Sequence, residues 1–410
     1  MSPSKSYLDL PYVCGPSSIC AIGVRAIEVL SGLGVMFGLD GARQAPSYPV
    51  AVTLTDGLEG EPLFTEREFL DFYIDEEAMP LVSIRKAIDT SSTAFLSVCG
   101  RLLLTSVHEF RPAERIALHG ALLEEAGAGI VILADSGVGK STTLRRHNLN
   151  GGCGVSDDWL MVNETHGEFV AQVLPTWSCI LRKTATFFPI SHTVPLRGIG
   201  LVAHADGSVP RTESVDELEF FIHAFNASEV FNRLLLKHLP GKVNKAARLR
   251  HIRMIDRLID AYTQFKYFAS LDDNPSAILF RGELELTTSR PSANVGVMGV
   301  SHFSDQSASV EGRDCRQSEV ASSEGERRFR LSDAAALHIA RDGARAVLIN
   351  TETGSMFMLN KTGLLVCQAI IEKPRTIDEI VFMLGNVMRL PPDAARDVRA
   401  LLGVLVHYFN

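Results

Sequence analysis

The stretch that most limits what this chain can fold into runs from Gly129 to Thr143. Gly129-Ile130-Val131-Ile132-Leu133 reads as a short buried β-strand, and Ala134-Asp135-Ser136-Gly137-Val138-Gly139-Lys140-Ser141-Thr142 follows it as a glycine-containing loop. Thr142-Thr143-Leu144 then opens a helix. Strand, loop and helix in this order are the context a phosphate-binding loop requires. Small residues let the backbone wrap tightly and turn several N–H groups inward, and the positive end of the helix completes an anion site. Lys140 is placed to reach β- and γ-phosphates, and the Ser141 hydroxyl to ligand Mg²⁺. Ala134 stands where the usual G-x-x-x-x-G-K-[ST] pattern has its first glycine.

A chain of 410 residues is long enough for two or three domains at about 100–200 residues each. With 46% hydrophobic residues most of it can bury a core, and a net charge of −8 argues against general nucleic-acid binding. Met1–Val13 has no basic segment followed by an apolar one, so no secretory signal is expected. The apolar stretch Cys20–Gly38 carries Arg25 and Glu28 and does not read as a membrane span. Seven cysteines, odd in number and without a C-x-x-C pair, fit reduced thiols of a cytoplasmic protein.

The region before residue 115 reads as mixed α/β. Val50–Leu54 is a strand candidate, Glu66–Ile74 is compatible with helix or strand, and Ala94–Val98 and Arg101–Leu104 are short apolar runs. No catalytic spacing stands out there. Arg115–Leu123, containing His119-Gly120, leads into the loop from one side. Beyond it, Cys153–Ser156 precedes the acidic pair Asp157-Asp158 and a further strand, Trp159–Val162. Carboxylates at a strand end soon after a phosphate loop are placed to hold a metal or to take the proton of an acceptor hydroxyl.

His119, the run Asp135-Ser136-Gly137-Val138-Gly139-Lys140-Ser141 and the pair Asp157-Asp158 together resemble the HPr kinase/phosphorylase family over residues 115–175. The wider group shares its nucleotide-binding core with phosphoenolpyruvate carboxykinase and includes kinases that tailor ribosomally made peptides. The resemblance implies that ATP and Mg²⁺ are the cofactors and that residues 135–142 cradle the nucleotide. It makes Asp157 the base toward a serine hydroxyl, His119 its neighbour supporting protonation or orienting the acceptor, and Asp158 a partner of Ser141 around Mg²⁺. It also makes a homo-oligomer plausible. Leu196–Val202 resembles an Arg-Gly-x-Gly strand of these kinases. Val194, Pro195 and Leu196 occupy the positions near Arg197 where the family carries a metal-linked glutamate, which points to a divergent branch.

Leu249, Ile252, Ile255, Leu258, Ile259 and Tyr262 recur at helical spacing, with the neighbouring arginines expected on the solvated face. Lys242 reads as an exposed turn lysine. From 286 to 327 Ser, Gly, Asp, Glu, Gln and Arg dominate, as in a flexible linker. In the last segment, Ala335–Arg341 and Ala344–Asn350 read as a hairpin turned at Asp342-Gly343, followed by Ser355–Leu359. Three helices follow: Thr362–Ile371; Ile377–Leu384, with Thr376 and Glu379 as a capping box; and Asp393–Tyr408. Three short strands and three helices suggest a winged-helix-like unit. The run Leu348 to Gly363 resembles the PqqD family, whose members bind the leader of a precursor peptide as an added strand. This implies peptide binding along Met356, Phe357, Met358 and Leu359, with Arg396 and Arg399 on the third helix.

The expected fold is α/β: an N-terminal mixed α/β lobe (1–114), an HPr kinase/phosphoenolpyruvate carboxykinase-like P-loop core (115–285), a linker (286–327) and a C-terminal PqqD-like winged-helix α+β domain (328–410). The expected function is an ATP-dependent kinase acting on a hydroxyl of a recruited precursor peptide, with no nucleic-acid or membrane partner. The alternative is a non-catalytic peptide scaffold with a regulatory nucleotide site.

Overall fold

The computed structural model describes residues 4–12, 16–39, 41–76, 79–85, 89–90, 92–110, 114–135, 137–174, 188–205, 210–236, 238–239, 241–270, 273–280, 329–331, 333–390 and 392–409. The expected linker 286–327 lies outside them, as do Cys14, Cys179 and Cys315. The chain divides into two compact units, Met1–Pro291 and Ser292–Asn410. Cys20, Cys99, Cys153 and Cys367 are free thiols. Among the described residues no helix is long and apolar enough to cross a membrane.

The first unit begins with β1 (Lys5–Leu10), β2 (Ser17–Ile22), α1 (Val24–Met36), β3 (Val50–Asp56), β4 (Phe64–Glu66), β5 (Leu70–Ile74), β6 (Pro80–Ile84) and α2 (Thr93–Phe110). The strands form a six-stranded sheet in the order β1-β2-β3-β6-β5-β4. The stretch compatible with helix or strand is a hairpin, β4–β5, turned through Arg67 and Glu68 at positive φ. The two apolar runs at 94–104 belong to a single helix, α2. Its buried residues, from Phe95 to Glu109, fall on nearly every side, which marks a helix enclosed by protein.

The chain continues through β7 (Arg115–Glu125), β8 (Ala128–Leu133), α3 (Lys140–Leu149), β9 (Cys153–Ser156), β10 (Trp159–Thr165), β11 (Glu168–Val173), β12 (Thr193–His204), β13 (Arg211–Ser214), α4 (Glu217–Leu236), α5 (Gly241–Ala261), β14 (Phe265–Ala269) and α6 (Pro275–Leu279). The strands make an eight-stranded sheet ordered β11-β10-β7-β8-β12-β14-β13, with β9 on β7. β11 also pairs with the start of β12, so five strands close into a ring. β8 is central, antiparallel to β7 and parallel to β12. Such a position buries both faces, which explains its unbroken apolar run. One hydrophobic core takes in Leu8, Leu33, Phe95 and Leu103 together with Trp159 and Met161, so the first sheet and the site-bearing strands are packed as one body.

Gly120 of β7 is where close packing decides sequence. A Cβ there would lie 2.8 Å from Leu133 Cδ2 and 3.0 Å from the Ile132 carbonyl oxygen. Only glycine lets β7 approach β8 at this point.

α5 corrects in part the expectation that its arginines are solvated: Arg253 and Arg257 are exposed, but Arg248 and Arg250 turn inward. Arg248 is buried and pairs bidentately with Glu229, Nε to Oε1 at 3.0 Å and Nη2 to Oε2 at 2.8 Å. Arg250 donates to Glu109 Oε2 at 2.9 Å. Helical spacing identifies the inward positions but not the carboxylates on neighbouring helices that let a cation turn inward. Lys242 is exposed, in the first turn of α5.

Glu109, at the end of α2, is fully buried. His251 Nε2 approaches its Oε1 to 3.3 Å and His108 Nε2 to 3.5 Å. Burial pushes its carboxyl up, but the two imidazoles and Arg250 overcome this and hold it below the usual carboxylate range. Burial drives His108 well below its ordinary value against the opposing pull of Glu109. Behind them the fully buried Arg115 lies 4.8 Å over the Tyr12 ring and donates to the Val107 carbonyl.

The second unit contains β15 (Ala335–Ile339), β16 (Ala346–Asn350), β17 (Met356–Leu359), α7 (Lys361–Glu372), α8 (Ile377–Val387) and α9 (Ala394–Phe409). The three strands form an antiparallel meander with the fully buried β16 in the middle. Gly343 turns the hairpin at φ 63. Asn360 caps α7, and Thr376 with Glu379 forms the expected capping box on α8. Leu348, Leu359, Val366, Ile380, Val398 and Leu402 build this unit's own core.

This packing sets three expectations for stability. Glu109→Gln leaves Arg250 buried without its countercharge and is expected to cost about 3–5 kcal/mol, read as a lower Tm of the first unit at neutral pH. Both shifts at this cluster are downward, so the folded state binds fewer protons than the unfolded state on the acid side. Stability is therefore expected to fall as pH drops below about 6.5, where an unfolded histidine protonates, and further through the range where an unfolded glutamate does. An unchanged Tm for Glu109→Gln would contradict the assignment. Gly120→Ala is expected to cost about 1–3 kcal/mol by overpacking, measured by thermal denaturation.

Candidate active site

The site begins at the C-terminal end of β8. The chain leaves the sheet at Ala134 and turns through Gly137 (φ 85) and Gly139 (φ 109), conformations that residues with a Cβ rarely adopt. Ser136, expected in the loop, lies outside the described residues. The helix α3 starts at Lys140, two residues earlier than the sequence suggests, with Gly139 as its left-handed N-cap and no side chain capping it. Its first N–H groups, together with the helix dipole, form an anion-binding end. Ser141 and Thr142 are exposed in its first turn.

Lys140 folds back against the loop. Its Nζ donates to the Ala134 carbonyl at 2.6 Å and the Asp135 carbonyl at 3.2 Å, and the residue is buried. Burial pulls its ammonium below the usual lysine value, opposed by the charges of Asp158, Asp135 and Asp157.

Strand register delivers the acidic pair. β10 runs antiparallel to β7, with Trp159 opposite His119. The Ser156 hydroxyl donates to the Trp159 carbonyl at 2.7 Å, closing the bend that carries Asp157 and Asp158. The Gly120 N–H donates to the Asp158 carbonyl at 3.2 Å. The acidic pair is thereby fixed beside the same strand that carries His119. His119 Nε2 stands 3.5 Å from Asp158 Oδ1, and its ring lies 5.7 Å from that of Trp159.

The charges are mutually adjusted. Burial, reinforced by the neighbouring Asp157, pushes Asp158 up to about 6, with Arg101 and Lys140 pulling the other way. Burial and the Lys140 charge push His119 down to about 4 against the pull of Asp157. At neutral pH His119 is therefore an uncharged imidazole beside an ionised Asp158. The Asp158 carboxylate and the Ser141 hydroxyl are each an oxygen donor of the kind Mg²⁺ prefers.

Asp135, Lys140, Asp157, Asp158 and His119 thus occupy one neighbourhood. Sequence reading missed three residues around it. His223 of α4 places Nδ1 3.8 Å from Asp135 Oδ1. His204, at the end of β12, approaches Gly139, whose Cβ position would lie 3.8 Å from its Cε1. Arg101 of α2 stands over Trp159 at 5.6 Å and acts electrostatically on Asp158. A lone arginine inside the apolar run of α2 was the one available signal. In the second unit Met356 and Phe357 are half-buried on β17, Met358 is 61% exposed and Leu359 is in the core. Arg396 and Arg399 are exposed on α9, with Arg396 paired to Asp393 at 2.8 Å.

Residues 85–246 match the family model described as SynChlorMet cassette protein ScmC, and residues 345–408 match Coenzyme PQQ synthesis protein D (PqqD). HPr kinase/phosphorylases of Streptococcus pneumoniae, from strain Hungary19A-6 and from serotype 2 strain D39 among others, are 28% identical over 156 residues. That match covers 36% of this chain and 44% of each relative, so the chain spans less than half the length of these curated relatives. Among solved structures, TbiB1 in complex with the TbiA(beta) leader peptide is 26% identical, covering 20% of this chain and 91% of that one at a TM-score of 0.18. The Hpr(Ser) kinase/phosphatase from Coxiella burnetii is 13% identical, covering 24% and 77% at a TM-score of 0.18. The chain joins a region related to ScmC and the HPr kinase/phosphorylases to a C-terminal PqqD-like domain.

Proposed function

We propose that this chain is an ATP- and Mg²⁺-dependent kinase that phosphorylates a hydroxyl, that of serine, on a ribosomally made precursor peptide held by its C-terminal domain. The observation that carries the reading is the convergence of Lys140, Asp158 and His119 at the end of β8, beside an uncapped helix N-terminus. In this reading β8, the loop and α3 are a P-loop, and residues 329–409 form a winged-helix-like unit.

The residues divide the work of in-line phosphoryl transfer. The loop N–H groups and Lys140 hold the β- and γ-phosphates. Ser141 and Asp158 hold Mg²⁺, which when bound offsets phosphate charge. Asp157 takes the proton of the acceptor hydroxyl, and the neutral His119 orients that hydroxyl. The buried setting strengthens each of these interactions relative to water.

The peptide reading rests on β17. Among the described residues it pairs only with β16, leaving an edge beside the exposed Met358. An extended peptide can add to such an edge through backbone hydrogen bonds, with side chains read alternately. Covalent attachment of this domain to the kinase region raises the local peptide concentration to roughly millimolar, so weak contacts at the reacting centre suffice.

The test is incubation of the full chain with labelled ATP and short candidate precursor peptides encoded near its gene. The expected product is a phosphoserine peptide, with Asp157→Asn slower by about 10²–10⁴-fold and Lys140→Ala inactive. If wild type and Asp157→Asn are indistinguishable while the peptide still binds, the chain is the alternative, a scaffold with a regulatory nucleotide site. Because Asp158 is protonated below about pH 6, activity is expected to fall on the acid side there. Raised Mg²⁺ should move that midpoint to lower pH, because metal and proton compete for the carboxylate. Met358→Asp should weaken peptide binding at least about tenfold, by placing a charge on the apolar edge, without changing ATP affinity; fluorescence anisotropy and nucleotide titration read the two separately.

A further inference from the structure

We infer that Arg101, carried by α2 of the N-terminal region, is a further catalytic residue that contacts the transferred phosphoryl group from the side of the acidic pair. The inference rests on the kinase reading above and assigns a chemical task to a segment whose sequence shows no catalytic spacing.

Arg101 is half-buried, with its guanidinium 5.6 Å over the Trp159 ring. Trp159 is the residue after the acidic pair and lies opposite His119. The guanidinium is thus anchored at the strand position that fixes the site. Burial works against its charge, as does Arg67, while Asp158 and Glu66 favour it. Among the described residues no hydrogen bond or ion pair takes up its donors. Its nitrogens are not sealed from solvent, so an arriving carboxylate or phosphate can reach the fork. Here the fork is held beside an aromatic ring, within the field of Asp158, and is left unspent.

Asp158 thus sits in the field of two cations from different elements, Lys140 of α3 and Arg101 of α2. Asp135 and Asp157 share the field of Lys140 with it. A triphosphate undergoing transfer adds negative charge spread over three equatorial oxygens and benefits from cations on more than one side. In the reaction, the acceptor oxygen bonds to the γ-phosphorus as the bond from that phosphorus to the β–γ bridging oxygen breaks. ADP leaves, and the acceptor proton goes to Asp157. Arg101 exchanges no bond; its N–H groups donate to the equatorial oxygens as their charge develops. The planar fork is what suits it to two oxygens at once, which a lysine cannot match.

A purely structural arginine, packed on Trp159, would be replaced by methionine with little loss. The experiment therefore uses the full chain with Arg101→Met, which keeps the packing, and Arg101→Lys, which keeps the charge. Three quantities are read for each: Kd for ATP, Kd for ADP with aluminium fluoride (a mimic of the group in flight), and single-turnover transfer to the precursor peptide. The expected result is an ATP Kd within about threefold of wild type for both variants. Affinity for the aluminium fluoride complex should fall at least a hundredfold, and transfer by about 10³-fold or more. Lysine should recover only a small part of either loss. Wild-type affinity for the mimic and wild-type transfer in Arg101→Met would overturn the inference while leaving the kinase reading intact. If the wild-type chain binds neither nucleotide nor mimic, the kinase reading itself fails, and the role of Arg101 with it. Should Arg101→Met have a lowered Tm, Arg101→Lys alone decides: wild-type behaviour would reduce Arg101 to a generic cation and overturn the assignment.

Discussion

The site depends on how β7 is held between its two neighbours. On one side Gly120 lets the strand lie against β8, close enough that a single methyl group would meet Leu133 and the Ile132 carbonyl. On the other, the Gly120 N–H holds the Asp158 carbonyl and the register sets Trp159 against His119. One glycine thereby fixes the distance between the loop that follows β8 and the acidic pair that precedes β10. Had that spacing been carried by flexible side chains, ordering it would have cost entropy each time the site formed. Built into the sheet, it is set once, on folding.

Charge then follows from placement. Lys140, Asp158 and His119 all lose water where these strands meet, and each responds according to its type. The carboxyl rises and the imidazole and ammonium fall, while each is steadied by the opposite charges beside it. At neutral pH this leaves an ionised carboxylate, a neutral imidazole and a cation within a few side chains of a helix N-terminus. The Glu109 cluster shows the same balance in a different use. There a buried carboxylate has Arg250 at 2.9 Å and two histidines around it. Held between Arg250 and the histidines, it ties α2 to α5.

Much of this was legible in the sequence because it depended on local rules. The apolar run before the loop, the glycines at positive φ, the Asp342-Gly343 turn and the Thr376–Glu379 capping box each follow from residues close together in the chain. The 66–74 stretch did not yield, since alternating aromatic and charged residues fit either period until Arg67 and Glu68 are seen to turn a hairpin. What failed to read depended on distant partners. Arg248 and Arg250 carry the signature of solvated residues, and only Glu229 and Glu109 on neighbouring helices explain their inward turn. Arg101 and His223 reach the site from elements whose own patterns speak only of packing. The second unit read more easily, its hairpin and three helices being local, and the edge left by β17 is a direct result of a sheet that stops at three strands.

Residues 135–142, Lys140 among them, are proposed to bind a nucleoside triphosphate. Isothermal titration of the full chain with a non-hydrolysable ATP analogue and Mg²⁺ tests it most directly. The expected result is saturable binding of one nucleotide per chain that Lys140→Ala weakens at least about tenfold, in line with loss of a charge-assisted contact to phosphate. The absence of binding to the wild-type chain, or equal binding by Lys140→Ala, would contradict it.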